Sequence, residues 1–195
     1  MPTGPDEDTL HILALVGSLR RGSFNRRLYE TAVALSPAGM SFTEADIRSL
    51  PLYDDDVRLE QDCPGPARRL RAAIAEADGV LFVSPEYNHA VPGVLQNAID
   101  WASRAPDQPF KGKPAAIMGA STSRMGTVRM QHGLRTTLDS LEAHTLLKPE
   151  VMIGNAKESF DGSGLVDPVA REVVARLMSA FADWVRRFGR EAAGV

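Results

Sequence analysis

Apolar residues collect in short continuous runs along the chain, and longer stretches with a helical spacing of apolar positions separate these runs. Three runs are each closed by a glycine or a Ser-Pro pair, and they cover Leu10–Val16, Val80–Val83 and Ala115–Met118. Runs of this length are typical of strands that are buried on both faces of a parallel sheet. Weaker segments at residues 40–47 and 145–153 complete a predicted set of five strands.

Helical patterns follow the predicted strands, because apolar residues recur every three or four positions and so share one helix face. The first three faces consist of Leu28, Ala32 and Leu35, then Leu70, Ala73, Ile74 and Ala77, then Leu95, Ala98 and Ile99. Pro92 fits the first position of the third helix, where no backbone N–H is needed. A fourth helix is predicted over residues 128–141.

The last predicted helix has signals at both ends. Asp167 is a suitable N-cap with Pro168 directly after it, and Gly189 marks the predicted end. The residues expected to face inward are Val169, Val173, Leu177, Phe181 and Phe188. A fifth helix of this kind would return the chain to the sheet and complete the alternation.

The alternation of strand and helix predicts an α/β fold with a doubly wound, mostly parallel sheet. For five strands the expected arrangement is flavodoxin-like, with strand order 2-1-3-4-5. Ligands of such open sheets bind beyond the carboxyl ends of the strands. The expected place is between strands 1 and 3, where the order of the strands reverses. We therefore expect one domain over residues 10–190, with its site in the loops after Val16, Val83 and Met118.

Composition and charge exclude several classes of protein. The chain has 195 residues, of which 44% are hydrophobic and 24% charged, and its net charge is −3. Because its basic residues are scattered, no nucleic acid partner is expected. Cys63 is the only cysteine, so neither a disulfide nor a Cys-rich metal site can form within one chain, and a reducing cytoplasm is the expected location.

The ends and the apolar runs of the chain predict no contact with a membrane. Residues 1–9 have neither a basic segment nor an apolar core, so we expect a short disordered tail rather than a signal peptide. No apolar run approaches the roughly 18 residues that a bilayer span requires.

The first strand is followed by a loop that suits an anion, Gly17-Ser18-Leu19-Arg20-Arg21-Gly22-Ser23-Phe24-Asn25, which we call the phosphate loop. Its backbone N–H groups and the start of the next helix favour a phosphate, and Ser18, Ser23 and Asn25 could add side-chain donors. Arg20 could supply a planar, charged partner. A simpler interpretation also accounts for part of the pattern: Ser23 caps the helix, and Arg20 and Arg21 are solvated surface charges.

Two other phosphate-binding motifs do not fit this loop. A P-loop needs Lys directly after its second glycine, whereas Gly22 is followed by Ser23 and Phe24. The dinucleotide fingerprint needs glycine at position 19, which is Leu.

A second loop follows the third predicted strand and reads Ser84-Pro85-Glu86-Tyr87-Asn88-His89-Ala90-Val91-Pro92-Gly93. It resembles the flavin loop P-E-Y-N of the NAD(P)H-dependent FMN reductase family, which includes chromate, quinone and azo-dye reductases. The phosphate loop matches the same family's G-S-x-R-x-x-S-x-N. Shorter likenesses extend the resemblance from about residue 12 to residue 141.

The resemblance implies one bound FMN, reduced by NADPH or NADH and reoxidised by a small acceptor such as a quinone, chromate, an azo or nitro compound, or free flavin. Ser18, Arg20, Ser23 and Asn25 would hold the phosphate, while Pro85, Glu86, Tyr87 and Asn88 would hold the isoalloxazine ring. We therefore call residues 84–93 the ring loop. The resemblance also implies a homodimer or homotetramer with the flavin near the subunit boundary, where Trp101 could make an apolar contact.

The family's third loop, S-x-G-x-x-G-[GT], corresponds to Ser121-Thr122-Ser123-Arg124-Met125-Gly126-Thr127, and Ser121 is the residue that would contact the flavin. Ser123 stands where the family has glycine. Because serine adopts a positive φ only at an energetic cost, this replacement puts the family's loop backbone in question.

The remaining polar residues suggest no further chemistry. Hydride transfer needs no general base, so we expect a structural or subunit-contact role for Glu86, and a loop or interface role for His89. The run Asp54-Asp55-Asp56 lacks the alternating spacing of a calcium loop and is predicted to be a solvated loop. The other histidines, His11, His132 and His144, are too scattered for a metal site, so no metal is expected.

Two classes of function fit the residues, together with a third in which the fold serves as a sensor without catalysis. The first is an FMN-dependent oxidoreductase as described above. The second is a flavodoxin-like electron carrier that exchanges electrons with protein partners. Carriers of that kind present a strongly acidic docking face, which a net charge of −3 does not suggest. Arg124 and Arg129 are candidate partners for the 2′-phosphate of NADPH.

Overall fold

The structure is a computed structural model, and it describes residues 9–60, 63–104 and 106–193, with side chains up to residue 188. The strands are β1 Leu10–Val16, β2 Met40–Glu44, β3 Gly79–Val83, β4 Pro114–Ala120, β5 His144–Thr145, β6 Val151–Ile153, β7 Phe160–Asp161 and β8 Gly164–Leu165. The helices are α1 Phe24–Leu35, α2 Asp55–Glu60, α3 Gly65–Glu76, α4 Gly93–Ala102, α5 Val128–Ser140, α6 Ala156–Ser159 and α7 Pro168–Ala193. The predicted tail, residues 1–9, lies outside the described residues except for Thr9.

The main sheet is parallel and has the order β2-β1-β3-β4-β5, with β6 also paired to β4. In register, Val16 of β1 lies opposite Val83 of β3, and Val83 lies opposite Met118 of β4. The predicted flavodoxin-like fold and strand order are therefore confirmed. Because the strands run in the same direction, the loops after β1, β3 and β4 leave the sheet at one edge, where the predicted site lies.

Two apolar layers cover the faces of the sheet, and successive strand residues alternate between them. Leu13 and Leu15 of β1 pack with α3, α4 and α5, while Ile12 and Val16 pack with α1 and α7. Each layer buries large side chains completely, such as Trp101 on one face and Phe181 on the other. This burial fixes the strand ends and gives the loops a rigid base.

The fifth predicted strand is wrong as a single element. It forms two short strands, with β5 opposite the start of β4 and β6 opposite its end. Pro149 lies between them and has no N–H to donate to a ladder, so the chain leaves the sheet after Leu146, whose N–H still donates to the Ala115 carbonyl oxygen at 2.7 Å. The strand of residues 40–47 is also shorter than predicted and ends at Glu44.

The last helix begins as predicted, because the Asp167 carboxylate accepts a hydrogen bond from the N–H of Ala170 at 2.8 Å. It does not end at Gly189 but continues to Ala193, since one glycine costs a helix only about 1 kcal/mol and good helix formers follow it. Val169 is 69% exposed rather than inward-facing, and the buried face begins at Val174. The third predicted helix corresponds to α4 and begins at Gly93, so Pro92 is its N-cap rather than its first residue.

The acidic run is also helical in part, because Asp55 and Asp56 form the first turn of α2. Carboxylates at a helix N-terminus are favourable, and the Asp55 carboxylate pairs with Arg58 at 2.7 Å. The prediction of a loop therefore holds only for Asp54.

Trp101 has a different place from the one expected. It is fully buried in the core, and its ring N–H donates to the carbonyl oxygen of Pro51 at 2.8 Å. Its ring also lies edge-on to Tyr53, with centroids 4.9 Å apart. A residue in this position packs α4 against the loop after β2, so the suggested subunit contact is wrong.

Candidate functional site

Three loops meet at the carboxyl edge of the sheet, and Ser84 lies at their centre. The N–H of Gly17 donates to the carbonyl oxygen of Val83 at 2.9 Å, and the N–H of Ser84 donates to the carbonyl oxygen of Met118 at 3.1 Å. A Cβ atom on Gly17 would collide with the Ser84 hydroxyl, and one on Gly119 would collide with the Ser84 carbonyl oxygen. Glycine at both positions therefore allows the strand ends to approach so closely. The sequence does not mark Ser84 as such a centre, since nothing in its local pattern shows this burial.

The phosphate loop ends at the start of α1, where backbone N–H groups are available. The Ser23 hydroxyl caps the helix by accepting from the N–H of Arg26 at 3.3 Å. Within the part of the chain that the structure describes, the N–H groups of Phe24 and Asn25 donate to no protein acceptor. Ser18 is buried at the base of the loop. Free N–H groups at a helix start, with a hydroxyl beside them, form the kind of site that phosphate needs.

Arg20 is exposed and available to an anion. Its guanidinium carbon lies 5.8 Å from the centre of the Phe24 ring, so the side chain folds back over its own loop. A guanidinium on an aromatic face keeps its N–H groups free for a planar, charged acceptor.

The side chain of Asn25 forms hydrogen bonds with another part of the protein. Its side-chain NH₂ donates to the carbonyl oxygen of Ala120, and its oxygen accepts from the N–H of the same residue, both at 2.9 Å. This pair joins the phosphate loop to the end of β4 and occupies one of the two side-chain N–H groups. The structure thus places Asn25 in the phosphate loop but gives its side chain a positioning role that the sequence did not predict.

The ring loop contains a tight turn in which Tyr87 and Ala90 exchange two backbone hydrogen bonds, of 3.2 and 3.0 Å. Both central residues of the turn have a left-handed backbone conformation, with φ of 51° at Asn88 and 62° at His89. Such backbone costs about 1 kcal/mol or more for residues other than glycine, and strain of this kind concentrates at functional sites. The turn leaves Tyr87 50% exposed, so its ring offers a surface at the site.

The chain is similar in sequence and in structure to known proteins. The sequence profile of the family described as NADPH-dependent FMN reductase matches residues 10–158. The chain belongs to this family. It is 50% identical over 181 residues to an NAD(P)H-dependent FMN reductase of Pseudomonas aeruginosa, covering 92% of this chain and 97% of that protein. It is 39% identical over 183 residues to a quinone reductase of Escherichia coli, again covering 92% and 97%.

A solved structure shows the same relationship. The flavoenzyme NAD(P)H:(acceptor) oxidoreductase of Paracoccus denitrificans superposes with a TM-score of 0.84 at 32% identity, covering 92% of this chain and 99% of that one. The predicted family is therefore confirmed.

Within this FMN reductase fold, Glu86 links the ring loop to α5. Its side chain is 8% exposed, and one carboxylate oxygen accepts from the N–H of Met130 at 3.0 Å. The N-cap residue of α5, Thr127, makes no side-chain capping bond, so Glu86 takes that role from another loop. Arg129 and His89 lie 3.8 and 3.4 Å from the other oxygen. These contacts support a structural role for Glu86 and give His89 the partner that its sequence context did not show.

We expect Glu86→Ala to destabilise the protein by about 1–2 kcal/mol, because α5 loses its cap and a carboxylate near its N-terminus. Thermal unfolding measures the change. Glu86→Gln serves as the matched control, since its amide oxygen can still accept from Met130 and should restore part of the loss. An unchanged melting temperature in Glu86→Ala would contradict the capping role.

The third loop keeps a defined turn despite the serine at position 123. The N–H of Ser123 donates to the Ser121 hydroxyl, and the Ser123 hydroxyl accepts from the N–H of Met125, both at 3.1 Å. The positive φ of this loop, 63°, is at Gly126, where a Cβ would lie 2.7 Å from the Met152 carbonyl oxygen. Ser123 therefore carries no left-handed strain, and the loop tolerates the replacement.

Neither a membrane span nor a metal centre is found in the part of the chain that the structure describes. No described helix combines the length and the apolar content that crossing a bilayer would take. Among the same residues, no three side chains of the His, Cys, Asp or Glu type lie together as metal ligands.

Proposed function

We propose that this protein binds one FMN at the carboxyl edge of its sheet and passes a hydride equivalent from NADPH or NADH to a quinone. The enzyme class is that of its family, the NAD(P)H-dependent FMN and quinone reductases. The observation that carries the site assignment is the set of free N–H groups at the start of α1, beside the buried Ser18 and the exposed Arg20.

The residues present fit FMN at both of its ends. Ser18, Arg20 and the N–H groups of Phe24 and Asn25 would hold the phosphate. The Pro85–Asn88 segment and Ser121 would hold the ring, with Tyr87 offering an aromatic surface. When bound, FMN supplies the redox chemistry by accepting two electrons as hydride and releasing them to an oxidised acceptor.

The protein's own part in the reaction is to position the ligands. Asn25 fixes the phosphate loop against β4, and Glu86 fixes the ring loop against α5. Nicotinamide has to lie flat against the ring for its hydride to transfer. The overall reaction converts NAD(P)H, a quinone and one proton to NAD(P)⁺ and the hydroquinone, and no protein general base is required.

The enzyme is expected to follow a ping-pong rate law. Nicotinamide and a quinone both need the exposed face of the ring, so the oxidised nicotinamide has to leave before the acceptor enters. Initial rates over a grid of NADPH and benzoquinone concentrations, with one FMN bound per chain, should give parallel double-reciprocal lines. Intersecting lines would show that both substrates bind together, and the single shared face would then be wrong.

The same preparation separates the reductase from the electron carrier. A reductase loses the yellow absorbance of its flavin when NADPH or NADH alone is added without oxygen, and benzoquinone restores it. A carrier keeps its absorbance until a partner reductase is supplied. A protein that purifies without flavin and binds none would support neither function.

We also propose that the protein is a homodimer or homotetramer. Large apolar side chains remain exposed in the ring loop, the third loop and the segment after β2, namely Tyr87 at 50%, Met125 at 53% and Leu52 at 86%. Burying them against another copy would remove this apolar area from water. Light scattering of the FMN-loaded protein should give a mass of two or four chains, and a monomer with full activity would refute the proposal.

A further inference from the structure

A pocket lies between the phosphate loop and the residues that follow β2, and Ser18 and Arg20 of the proposed phosphate site are among the residues that line it. Its volume is about 460 Å³, which is within the range of small-molecule sites. The apolar residues lining it are Val16, Leu19, Ala45 and Ile47. Four arginines line it as well: Arg20, Arg21, Arg26 and Arg48. A pocket with apolar walls and several guanidiniums suits a flat ring that bears an anionic group.

The two acidic residues of this pocket accept hydrogen bonds from other groups of the protein. Both carboxylate oxygens of Glu44 accept from the guanidinium of Arg26. Asp46 accepts from the N–H groups of Arg48 and Ser49 at 3.0 and 3.3 Å, and hydrogen bonding from Ser49 lowers the pKa of its carboxyl. Both bonds to Asp46 go to one carboxylate oxygen. The four arginines outnumber the two carboxylates, so the pocket presents a net positive charge.

The other arginines have N–H groups to spare. Arg21 is exposed, and no hydrogen bond or ion pair engages its guanidinium among the described residues. Arg48 gives one N–H to the Leu19 carbonyl oxygen at 2.6 Å, and its remaining donors are available. The first of these two arginines belongs to the phosphate loop and the second follows β2, so they could bind one anion from two sides.

The position of the pocket indicates which part of a ligand it would take. In folds that bind dinucleotides at parallel strand ends, a carboxylate after the second strand binds the ribose 2′-OH of NAD, and an arginine there accommodates the 2′-phosphate of NADP. Here Glu44 ends β2 but is held by Arg26, and Arg48 follows it. The excess of guanidinium groups over carboxylates in the pocket favours a phosphate over a hydroxyl.

We propose that this pocket binds the adenosine 2′-phosphate end of NADPH, with Arg21 and Arg48 as its phosphate partners. The proposal rests on the proposed function, because the nicotinamide has to lie at the ring loop. The ends of β2 and β3 are two strand spacings apart, about 10 Å, which a dinucleotide can span. The flavin phosphate would take the N–H groups at the start of α1 together with Ser18 and Arg20, which line this pocket as well.

The alternative arginines are less suitable. Arg129 lies 3.8 Å from the buried Glu86 carboxylate, which already balances its charge. Arg124 is exposed in the third loop, away from this pocket. The two pairs of arginines therefore make a direct comparison possible.

The test compares Arg21→Gln, Arg48→Gln, Arg124→Gln and Arg129→Gln in the FMN-loaded enzyme. For Arg21→Gln and Arg48→Gln we expect the KM for NADPH to rise about tenfold at unchanged kcat, since each removes a charge-assisted hydrogen bond. The KM for NADH should change by less than twofold. The variants at positions 124 and 129 should leave the ratio of the two KM values as it is in the wild type.

A binding measurement makes the result independent of activity. Calorimetry with 2′,5′-ADP should show about tenfold weaker binding to Arg21→Gln than to the wild type, and 5′-AMP should bind both equally. An equal rise in KM for both coenzymes, an effect confined to Arg124 or Arg129, or weaker FMN binding with no change in the coenzyme ratio would each overturn the proposal. If neither coenzyme bleaches the wild type while 2′,5′-ADP still binds through Arg21, the proposed function fails and the pocket assignment stands.

Discussion

Gly119→Ala is expected to destabilise the protein by about 3 kcal/mol or more, with a fall in melting temperature of roughly 6–12 °C. The added methyl group would collide with the Ser84 carbonyl oxygen and lie 2.7 Å from the Thr127 hydroxyl. The Ser84 carbonyl oxygen belongs to the backbone directly after β3, and the Thr127 side chain is fully buried. Neither group can therefore move aside without shifting a loop. We therefore also expect weaker FMN binding, because the ring loop and the third loop both start here.

Gly133→Ala is the matched control, since the same substitution has the opposite expected sign. Gly133 lies inside α5, and a Cβ there meets nothing within 4 Å. Replacing a glycine in a helix with alanine stabilises by about 0.5–1 kcal/mol. Calorimetric melting of the two variants beside the wild type measures both changes. Equal stabilities of Gly119→Ala and the wild type would show that the strand ends are not packed as tightly as the structure indicates.

The parts of this fold that the sequence predicts are those with local signals. Strands β1, β3 and β4 appear as continuous apolar runs, because a strand covered by helices on both faces has no polar side. The phosphate loop and ring loop lie directly after such runs, and parallel strands bring their carboxyl ends to one edge. Residues at the ends of these runs could therefore be assigned to one site from their order along the chain.

The parts that sequence reasoning missed depend on contacts between distant segments. Asn25 bonds to Ala120, which is 95 positions away, and Glu86 caps a helix 44 positions away. Trp101 donates to Pro51 across the core, so its apolar character indicated burial and not a subunit surface. No periodicity or short motif contains this information, because tertiary packing alone brings the partners together.

These long-range bonds also explain how the site can be rigid although its loops are short. The side chains of Ser23 and Asn25 both hold the start of α1. The Ser23 hydroxyl accepts from the N–H of Arg26 in the same helix, and the Asn25 side-chain oxygen accepts from the N–H of Ala120 in β4. The groups left for a ligand are then backbone N–H groups, which are held in place by those bonds. Arg20 is different, because its charged end is exposed and lies over the Phe24 ring.

Arg20→Ala is accordingly expected to weaken FMN binding about ten- to a hundredfold while leaving the fold intact. One charge-assisted hydrogen bond to a phosphate contributes about 1.5–3 kcal/mol. Because the Arg20 side chain is exposed, thermal unfolding of the flavin-free protein should change little. Fluorescence titration of the flavin-free protein with FMN gives the affinity, and titration with riboflavin, which has no phosphate, should give the same result for variant and wild type.

Arg27→Ala provides the control for the aromatic contact. The Arg27 guanidinium lies 5.9 Å from the centre of the same Phe24 ring, and it donates to the Asp161 carbonyl oxygen at 2.9 Å, away from the phosphate loop. Its loss removes a comparable cation–π contact and a positive charge of the same size, but no phosphate partner. FMN affinity should therefore fall by less than about fivefold, which corresponds to the roughly 0.5–1 kcal/mol of a single exposed cation–π contact. If Arg20→Ala and Arg27→Ala weaken FMN equally, the effect of Arg20 is long-range charge or packing, and the phosphate assignment of Arg20 is wrong.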